Sequence, residues 1–283
     1  LSFSMEHNVL LRRWTVSAGL LANMNTRFDR RFHLYPGIDI AYTPTESWRV
    51  FGSYNKGFRL PTFTDMYYKS PTHEGNQGMK AEESNSFQIG TQWQTAVCDG
   101  FVNLAAKGFY HRGSNLIDWV MYDDCDIFHS ANFDLDNMGA QIESRWTATS
   151  ERSFVHSMSI GYTYINQHRR DETDIYKSNY AMEYLRHKLV ATLDHHIVSR
   201  LSASWNLRWQ KRCGSYIKYE NAVSSGQLVS YSPYAILDLK LRWMERSYEL
   251  WVEATNITNH TYYDLGNIPQ PGTVVMAGLR LRI

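Results

Sequence analysis

Closely spaced aspartates are the residues of this chain whose spacing first suggests metal chemistry. They are Asp123, Asp124, Asp126, Asp134 and Asp136. Hard carboxylate oxygens of this kind are the ligands that Ca²⁺ prefers. The order Asp-Asp-Cys-Asp, however, lacks the EF-hand pattern and its closing glutamate. We therefore expect a solvated acidic loop and no resident cofactor, with calcium in loop 123–136 as the alternative.

Two adjacent histidines, His195 and His196, form the next candidate group. Neighbouring residues of a strand point to opposite faces, so the two imidazoles cannot easily share a metal ion. Asp194 and His196 do share a face, and a simple polar pair is the expected arrangement. The sequence has no G-x-S-x-G, H-E-x-x-H, P-loop or dinucleotide-binding pattern. We assign no catalytic residues and predict that the protein is not an enzyme.

Tyrosines in the predicted long loops are the best candidates for binding a small molecule. Tyrosine offers a large contact area at little entropic cost, together with a hydroxyl for hydrogen bonds. The alternative is that these side chains only pack at the rim of the fold. The residues concerned are Tyr67, Tyr68, Tyr216, Tyr219, Tyr262 and Tyr263.

Composition excludes several classes of protein. The net charge is +1, so nothing in the overall charge favours nucleic acid. Of the three cysteines, Cys98 falls in a short turn, and a bridge between Cys125 and Cys213 is no better supported than two free thiols. Alternation already begins at Leu1, so we expect the chain to be a fragment or a processed product.

Strands must position these residues, because alternation of apolar and polar side chains dominates the chain. In residues 201–211, Leu201, Trp205 and Trp209 lie on one apolar face and polar residues lie between them. Strict alternation over about ten residues predicts a two-faced strand long enough to cross a bilayer. Strands are predicted at 11–24, 31–43, 47–57, 84–95, 100–112, 137–149, 154–167, 185–197, 200–212, 234–244, 248–256 and 273–283, with the tail of an earlier strand at 1–5.

The connections alternate in length along the chain. Short turns alternate with long loops at 58–83, 113–136, 168–183, 213–233 and 257–272. Hairpins with short turns on one rim and long loops on the other are typical of bacterial outer-membrane barrels. A soluble β-sandwich, which is the alternative fold, does not need that asymmetry.

Nearly all charged residues within the predicted strands lie on the same face, opposite the apolar residues. A charge that faced lipid near the bilayer midplane would cost roughly 2–4 kcal/mol, so the charged face is predicted to line a polar lumen. Arg12 and Lys211 are exceptions near strand ends, where long side chains reach the interface. The lumen-facing set is Glu143, Arg145, Arg208, Asp238, Lys240, Arg242, Glu249, Glu253 and Arg280.

Two segments carry more than alternation. Residues 54–67 read Y-N-K-G-F-R-L-P-T-F-T-D-M-Y and precede G-N-Q-G-M-K-A-E-E-S at 75–84. Residues 253–262 read E-A-T-N-I-T-N-H-T-Y, with Pro271 and Gly272 before the last strand. Together they resemble TonB-dependent outer-membrane receptors over essentially the whole chain. Gln77, Met79 and Ala81 depart from the usual Pro, Leu and Pro of that family.

The resemblance implies an all-β transmembrane antiparallel barrel. Such receptors have 22 strands around an N-terminal plug, so about a dozen strands would form roughly the C-terminal half of one. Residues 1–283 would then be the C-terminal part of the barrel domain, and the plug would be absent from this chain. The plug and the remaining strands, on the same or a companion chain, are the expected partners, and the charged lumen face would hold the plug.

The resemblance also implies active import across a Gram-negative outer membrane, powered by the TonB energy-transducing system. The run at 58–67 looks most like that of cobalamin importers, so cobalamin or a related corrinoid is the expected cargo. Haem or a ferric siderophore is the alternative, and a passive porin or a barrel enzyme such as a protease or lipase belongs to another class. A surface-exposed capture lipoprotein and outer-membrane lipid complete the expected partners.

Three residues near the first motif receive specific expectations. Haem receptors of this family can carry a histidine ligand in the interval where His73 lies, although an exposed loop histidine is the plainer expectation. Pro61 is expected to end a strand, and Arg59 to pair with lumen carboxylates, rather than either one reaching a bound nutrient.

Overall fold

The computed structural model describes all residues except 27–28, 124–125, 151–152, 172–173, 180, 221–222 and 282–283. The described chain is built of strands, with one short helix, α1 (Phe63–Tyr67). The strands are β1 (Ser2–Leu10), β2 (Trp14–Asn25), β3 (Asp29–Thr45), β4 (Trp48–Arg59), β5 (Lys69–Ser70), β6 (His73–Glu74), β7 (Glu82–Val97), β8 (Gly100–Met121), β9 (Phe128–Ala148), β10 (Val155–Arg169), β11 (Lys177–Ser178), β12 (Leu185–Val198), β13 (Leu201–Arg212), β14 (Ser215–Glu220), β15 (Val223–Ser230), β16 (Tyr234–Met244), β17 (Tyr248–Thr255), β18 (Tyr263–Leu265), β19 (Ile268–Pro269) and β20 (Val274–Leu281).

Most strands join one 16-stranded sheet in which chain neighbours are sheet neighbours. The order is β1-β2-β3-β4-β7-β8-β9-β10-β12-β13-β16-β17-β20, with β5, β6 and β11 attached beside it. The register is antiparallel where it is described along this path, as in β1 with β2 and β17 with β20. The all-β, hairpin-by-hairpin fold expected from the sequence is therefore confirmed. The predicted strand tail at 1–5 extends to a full strand, β1.

The chain forms two compact units. The first comprises residues 1–92, 106–140 and 165–184, and the second comprises 93–105, 141–164 and 185–283. Within the second unit, Leu201 faces Trp243 and Trp205 faces Leu239, whereas Asn206 faces Asp238 on the opposite side of the sheet. The period-2 pattern of the sequence is thus translated directly into one apolar and one polar face.

The apolar face is left open rather than covered by a core. Leu250, Val252 and Leu279 are 45%, 46% and 59% exposed. One polar residue on this face, His195, shares the parity of Leu193 and accepts a hydrogen bond from Trp205 Nε1 at 3.1 Å. Soluble domains bury such surfaces, whereas a lipid-facing wall exposes them.

The buried core of the first unit lies instead in the extensions of β8 and β9. These strands have 22 and 21 residues, roughly twice the ten that a bilayer requires. Val120, Ala131, Phe133 and Leu135 pack there, joined by Ile175 from the segment before β11. The predicted loop 113–136 is therefore wrong, since most of it is strand. Asn115, at φ 53°, interrupts the alternation, and neighbouring segments cover the extension.

The remaining long loops also contain structure that the pattern did not predict. Residues 58–83 hold α1, β5 and β6, residues 213–233 hold the β14–β15 hairpin, and residues 257–272 hold β18 and β19. Residues 168–183 hold β11, which pairs with β8. The short turns occur as expected. In each unit, we call the strand ends that these segments connect the long-loop end of that unit.

Cysteine and helix content complete the fold. Cys98, in its short turn at φ 53°, and Cys213 are free thiols. Cys125, the other half of the bridge considered above, lies outside the described residues. In the described chain, no helix is long and apolar enough to cross a membrane.

A charge placed on the apolar face should destabilise the complete receptor far more than the same charge on the polar face. Leu207→Arg would place a guanidinium in lipid and is expected to cost about 2–4 kcal/mol of unfolding free energy. Asn206→Arg, one residue away, would point toward Asp238 and should change it little. Urea unfolding from lipid vesicles measures both variants. Equal losses would contradict a lipid-facing apolar surface.

Candidate functional site

The segment that follows β4 leaves the sheet at a fixed point. Proline cannot continue the ladder, and β4 ends at Arg59, two residues before Pro61. Arg59 Nε lies 3.1 Å from Glu82 Oε2, and its Nη2 donates to the carbonyl oxygen of Ile117 at 2.9 Å. The prediction that Pro61 ends the strand and Arg59 pairs with a carboxylate is confirmed.

Helix α1 is short but fully capped. The Thr62 hydroxyl accepts from the Asp65 backbone N–H, and the Thr62 N–H donates to the Asp65 carboxylate at 2.8 Å, which together form a capping box. Phe63 and Tyr67, one turn apart, are 80% and 43% exposed, with ring centroids separated by 5.5 Å. A rigid helix therefore displays two aromatic rings to solvent.

One buried hydroxyl ties this helix to β9. Ser130, only 2% exposed, donates to the Asp65 carbonyl oxygen at 2.5 Å and accepts from the Asn76 N–H at 2.7 Å. Gly75 lies so close to the helix that a Cβ there would approach the Met66 carbonyl carbon to 2.9 Å. The close approach is thus steric as well as polar, because a Cβ at position 75 would clash with the backbone of α1 and the residue after it.

His73 belongs to an aromatic cluster. Its ring stacks on Phe128 at 5.1 Å and meets Trp119 edge-on at 5.3 Å, while Tyr68 contacts both His73 and Trp119. Its Nδ1 lies 2.9 Å from the Thr72 hydroxyl. The structure thus brings together the predicted residues Tyr68 and His73. It adds Trp119 and Phe128, which the sequence reading missed because it placed both in a loop.

The aspartates do not form one acidic site. Asp134 and Asp136 lie within β9, where Arg170 bridges them at 3.2 and 2.9 Å. Asp126 instead accepts from His129, and Asp124 lies outside the described residues. Expecting a single acidic loop was wrong because strand β9 separates the carboxylates and Arg170 neutralises two of them. The described residues hold no group of three or more His, Cys, Asp or Glu side chains suited to a metal ion.

A charged chain connects the β5–β6 hairpin to the start of β9. Lys69 Nζ lies 2.8 Å from Glu74 Oε1, Glu74 Oε2 lies 4.0 Å from His129 Nδ1, and His129 Nε2 lies 3.0 Å from Asp126. The hydrogen bond from Lys69 lowers the pKa of Glu74. The hydrogen bond from His129, then that from the Ile127 N–H, lowers the pKa of Asp126.

In the second unit the predicted tyrosines form a separate group. Tyr216, 8% exposed, stacks on Tyr263 at 5.5 Å and lies 5.1 Å from Tyr231, which the sequence reading missed. Tyr262 packs against Tyr234 at 4.5 Å. Of the four predicted tyrosines here, only Tyr219 is strongly exposed, at 50%. The packing alternative therefore describes Tyr216 better than ligand binding does.

The predicted lumen charges share the polar face and pair across strands. Lys240 Nζ lies 2.9 Å from Glu253 and 4.7 Å from the Trp251 ring centroid, and Arg280 lies 3.6 Å from the buried Glu249. Asp238 accepts from the Asn206 side chain at 3.1 Å. Of the other members of the set, Arg145 and Arg242 are exposed, and Glu143 and Arg208 are half-buried. Asp194 accepts a hydrogen bond from the Ser157 hydroxyl at 2.7 Å.

Several cations of the long-loop segments are paired with carboxylates. In the first unit, Arg170 is matched by Asp134 and Asp136, and Lys69 by Glu74. In the second unit, Arg212 is matched by Asp264 at 2.9 Å. An anionic ligand that needed these cations would have to displace their carboxylates.

Comparison with known proteins agrees with this architecture. Residues 6–257 match the family model described as TonB dependent receptor-like, beta-barrel. The vitamin B12 transporter BtuB of Vibrio vulnificus (strain YJ016) is 26% identical over 106 residues, which cover 38% of this chain and 16% of that protein.

Solved structures resemble the chain in fold. The FrpB iron transporter from Neisseria meningitidis (F3-3 variant) has a TM-score of 0.71 at 13% identity, covering 98% of this chain and 44% of that one. The copper transporter OprC has a TM-score of 0.72 at 10% identity, covering 98% and 47%. The chain spans less than half the length of these structures.

Acidification should weaken the Lys69–Glu74 pair within the β5–β6 hairpin and the Asp126–His129 pair at the start of β9. Because the pKa values of Glu74 and Asp126 are lowered, their ionised forms stabilise the folded segment above the ordinary values of 4.5 and 3.8. This contribution is lost as pH falls through the lowered values. Protection of residues 69–79 against hydrogen exchange, taken relative to the intrinsic rate at each pH, should therefore fall below about pH 4. Glu74→Gln should weaken this pH dependence and Glu46→Gln should retain it; constant protection in the wild-type protein would contradict the prediction.

Removing the Ser130 hydroxyl should loosen the segment that carries α1. Ser130→Ala deletes one donated and one accepted hydrogen bond and is expected to cost about 1 kcal/mol locally, or roughly fivefold faster proteolysis of residues 59–82. Ser47→Ala, at an exposed hydroxyl in a short turn, is the matched control. Identical cleavage rates in both variants would show that Ser130 does not hold this segment.

Proposed function

Since the chain belongs to the TonB-dependent receptor β-barrel family, we propose that it forms part of the wall of an active nutrient importer. Receptors of this family are outer-membrane transporters of Gram-negative bacteria, not enzymes. Residues 1–283 would be the C-terminal part of the barrel domain, with the plug and the remaining strands outside this chain. The polar face, including Lys240, Glu253 and Glu249, would meet the plug, and the TonB system would supply the energy.

The proposed cargo is cobalamin or a related corrinoid. The observation that carries this proposal is the exposed aromatic pair on the capped helix α1, which is followed by Lys69, a cation already paired with Glu74. A corrinoid is large and largely uncharged at its periphery, so aromatic area and neutral polar groups would bind it. A ferric catecholate siderophore is an anion, and Lys69 would have to leave Glu74 to bind it.

Sequence similarity to a vitamin B12 transporter supports the same cargo. Haem remains the alternative, with His73 as its ligand, but the stacking of that ring on Phe128 favours a packing role. Phe63 joins Tyr67 and Tyr68 as the proposed contact residues. Tyr219, Tyr262 and Tyr263 are proposed as further contacts, and Tyr216 as their support. A surface capture lipoprotein remains a proposed partner.

Truncating either exposed ring of α1 should weaken cyanocobalamin binding by the complete receptor. Phe63→Ala and Tyr67→Ala are each expected to lower affinity about tenfold, equivalent to about 1.4 kcal/mol, because aromatic anchors dominate such contacts. Phe154→Ala is the matched control, since that ring is 67% exposed at a short-turn end. Binding is measured by calorimetry in detergent.

Uptake assays separate the candidate cargos. Cells that depend on the receptor are supplied with cyanocobalamin, haem or ferric enterobactin, and growth is compared. Growth on haem or the siderophore alone, without cyanocobalamin binding, would reject the corrinoid proposal while leaving the importer intact.

A further inference from the structure

Two adjoining clefts lie on the polar face of β1–β4 in the first unit. The larger, of about 550 Å³, is lined by residues of β2 and β3, the end of β4 and the segment 77–81. The smaller, of about 390 Å³, lies between β1 and β4. Tyr35 lines both. Because segment 77–81 belongs to the long-loop end, the larger cleft opens toward the same rim as α1.

A glycine pair creates the smaller cleft. Gly19 of β2 and Gly37 of β3 face each other in the register, so neither strand places a side chain there. A Cβ at Gly19 would meet only the Met5 carbonyl oxygen, at 3.8 Å, which is ordinary contact. Gly37 is closer to its neighbour, since a Cβ there would lie 2.5 Å from Asn55 Oδ1. Space at Gly19 is therefore open and can be filled without backbone strain.

The residues that line the two clefts include stacked aromatic rings and neutral amides. The Tyr35 ring stacks on Phe58 at 4.3 Å, and Asn23 and Gln77 line the larger cleft. Lys56, which lies over the Tyr35 ring at 5.6 Å, is paired with Glu83 at 3.0 Å. Stacked rings beside amides provide area for a flat ligand and hydrogen bonds for its edge.

Charge in the smaller cleft argues against an anionic ligand. Glu6, Asp39 and Lys56 line the smaller cleft, and Glu83 and Lys80 line the larger one. Because Lys56 is already paired with Glu83, Glu6 and Asp39 give the smaller cleft an excess of negative charge, which would repel a ligand with several negative charges. A ligand edge that carries amides or hydroxyls can instead both donate to the carboxylates and accept from Asn23 or Gln77.

We propose that these clefts form a second cargo subsite, below the aromatic pair of α1, that receives the amide-bearing edge of a corrinoid. The proposal rests on the proposed function and deepens it. A corrinoid carries carboxamide side chains around its ring, which match the amides and carboxylates of the lining. Cargo released from the exposed rings of α1 would enter the larger cleft first and would reach the glycine pair next.

Filling the smaller cleft tests the subsite. Gly19→Leu places an isobutyl group in the open space, and Gly19→Ser is a smaller, polar version. The matched control is Gly161→Leu. Gly161 lies on the polar face of β10 and has open space at a Cβ, with nothing within 4 Å, but it lines neither cleft. Cyanocobalamin affinity is measured by calorimetry on the complete receptor, and heat-modifiable gel migration verifies that each variant is folded.

The expected result is at least a tenfold loss of cyanocobalamin affinity in Gly19→Leu, a smaller loss in Gly19→Ser, and less than a twofold change in Gly161→Leu. No loss in Gly19→Leu, or equal losses in Gly19→Leu and Gly161→Leu, would overturn the subsite while the corrinoid proposal stands. A wild-type receptor that does not bind cyanocobalamin would overturn both. Variants that change affinity for ferric enterobactin instead would likewise reject an amide-recognising subsite.

Discussion

The rest of the structure depends on backbone pairing in a fixed antiparallel register. Each strand satisfies its N–H and C=O groups on its sequence neighbours, and the register then decides which side chains share a face. A slip of one residue between β13 and β16 would exchange Leu239 for Lys240 opposite Trp205. In a membrane, where unpaired backbone groups and misplaced charges are both costly, this register is the condition for every other feature.

The same constraint accounts for the unusual location of the buried core. The apolar face of the sheet is exposed, so it does not supply tertiary packing. Packing is concentrated where β8 and β9 extend past the length that a bilayer requires, and Val120 and Phe133 are covered there by added segments. Ser130 and Asp118, both buried, make the polar connections: Ser130 binds the segment with α1, and Asp118 accepts from Ser178 and the Ala181 N–H. Binding surfaces at this rim are therefore mounted on rigid strands rather than on free loops.

Alternation was sufficient to predict the sheet order, the short turns and the polar face, because one exposed face and one polar face leave a period of two in the sequence. It failed in residues 113–136, since a strand covered on both sides has no such period and Asn115 interrupts the ladder. The prediction of a single acidic loop failed because Asp134 and Asp136 lie in this same strand. Their partner Arg170 lies far away in sequence, so the pairing left no local pattern. The capping of α1 by Thr62 and Asp65 could have been predicted from the T-x-x-D spacing in the sequence. The glycine pair Gly19 and Gly37 could be recognised only after the register was known.

An exposed phenylalanine on a capped helix is informative because stability alone does not favour it. The capping box and the Ser130 hydroxyl fix α1, yet its most exposed ring, Phe63, buries little apolar area in return. A ring that is held rigidly but left exposed is suited to ligand binding, because a preorganised ring loses little entropy when the ligand binds. Lys69, just after α1, is already paired with Glu74 and so attracts anions less, and the clefts around Tyr35 likewise combine aromatic rings with amides. Two separate surfaces of the first unit therefore favour one chemical class of cargo, which a packing role for either surface would not require.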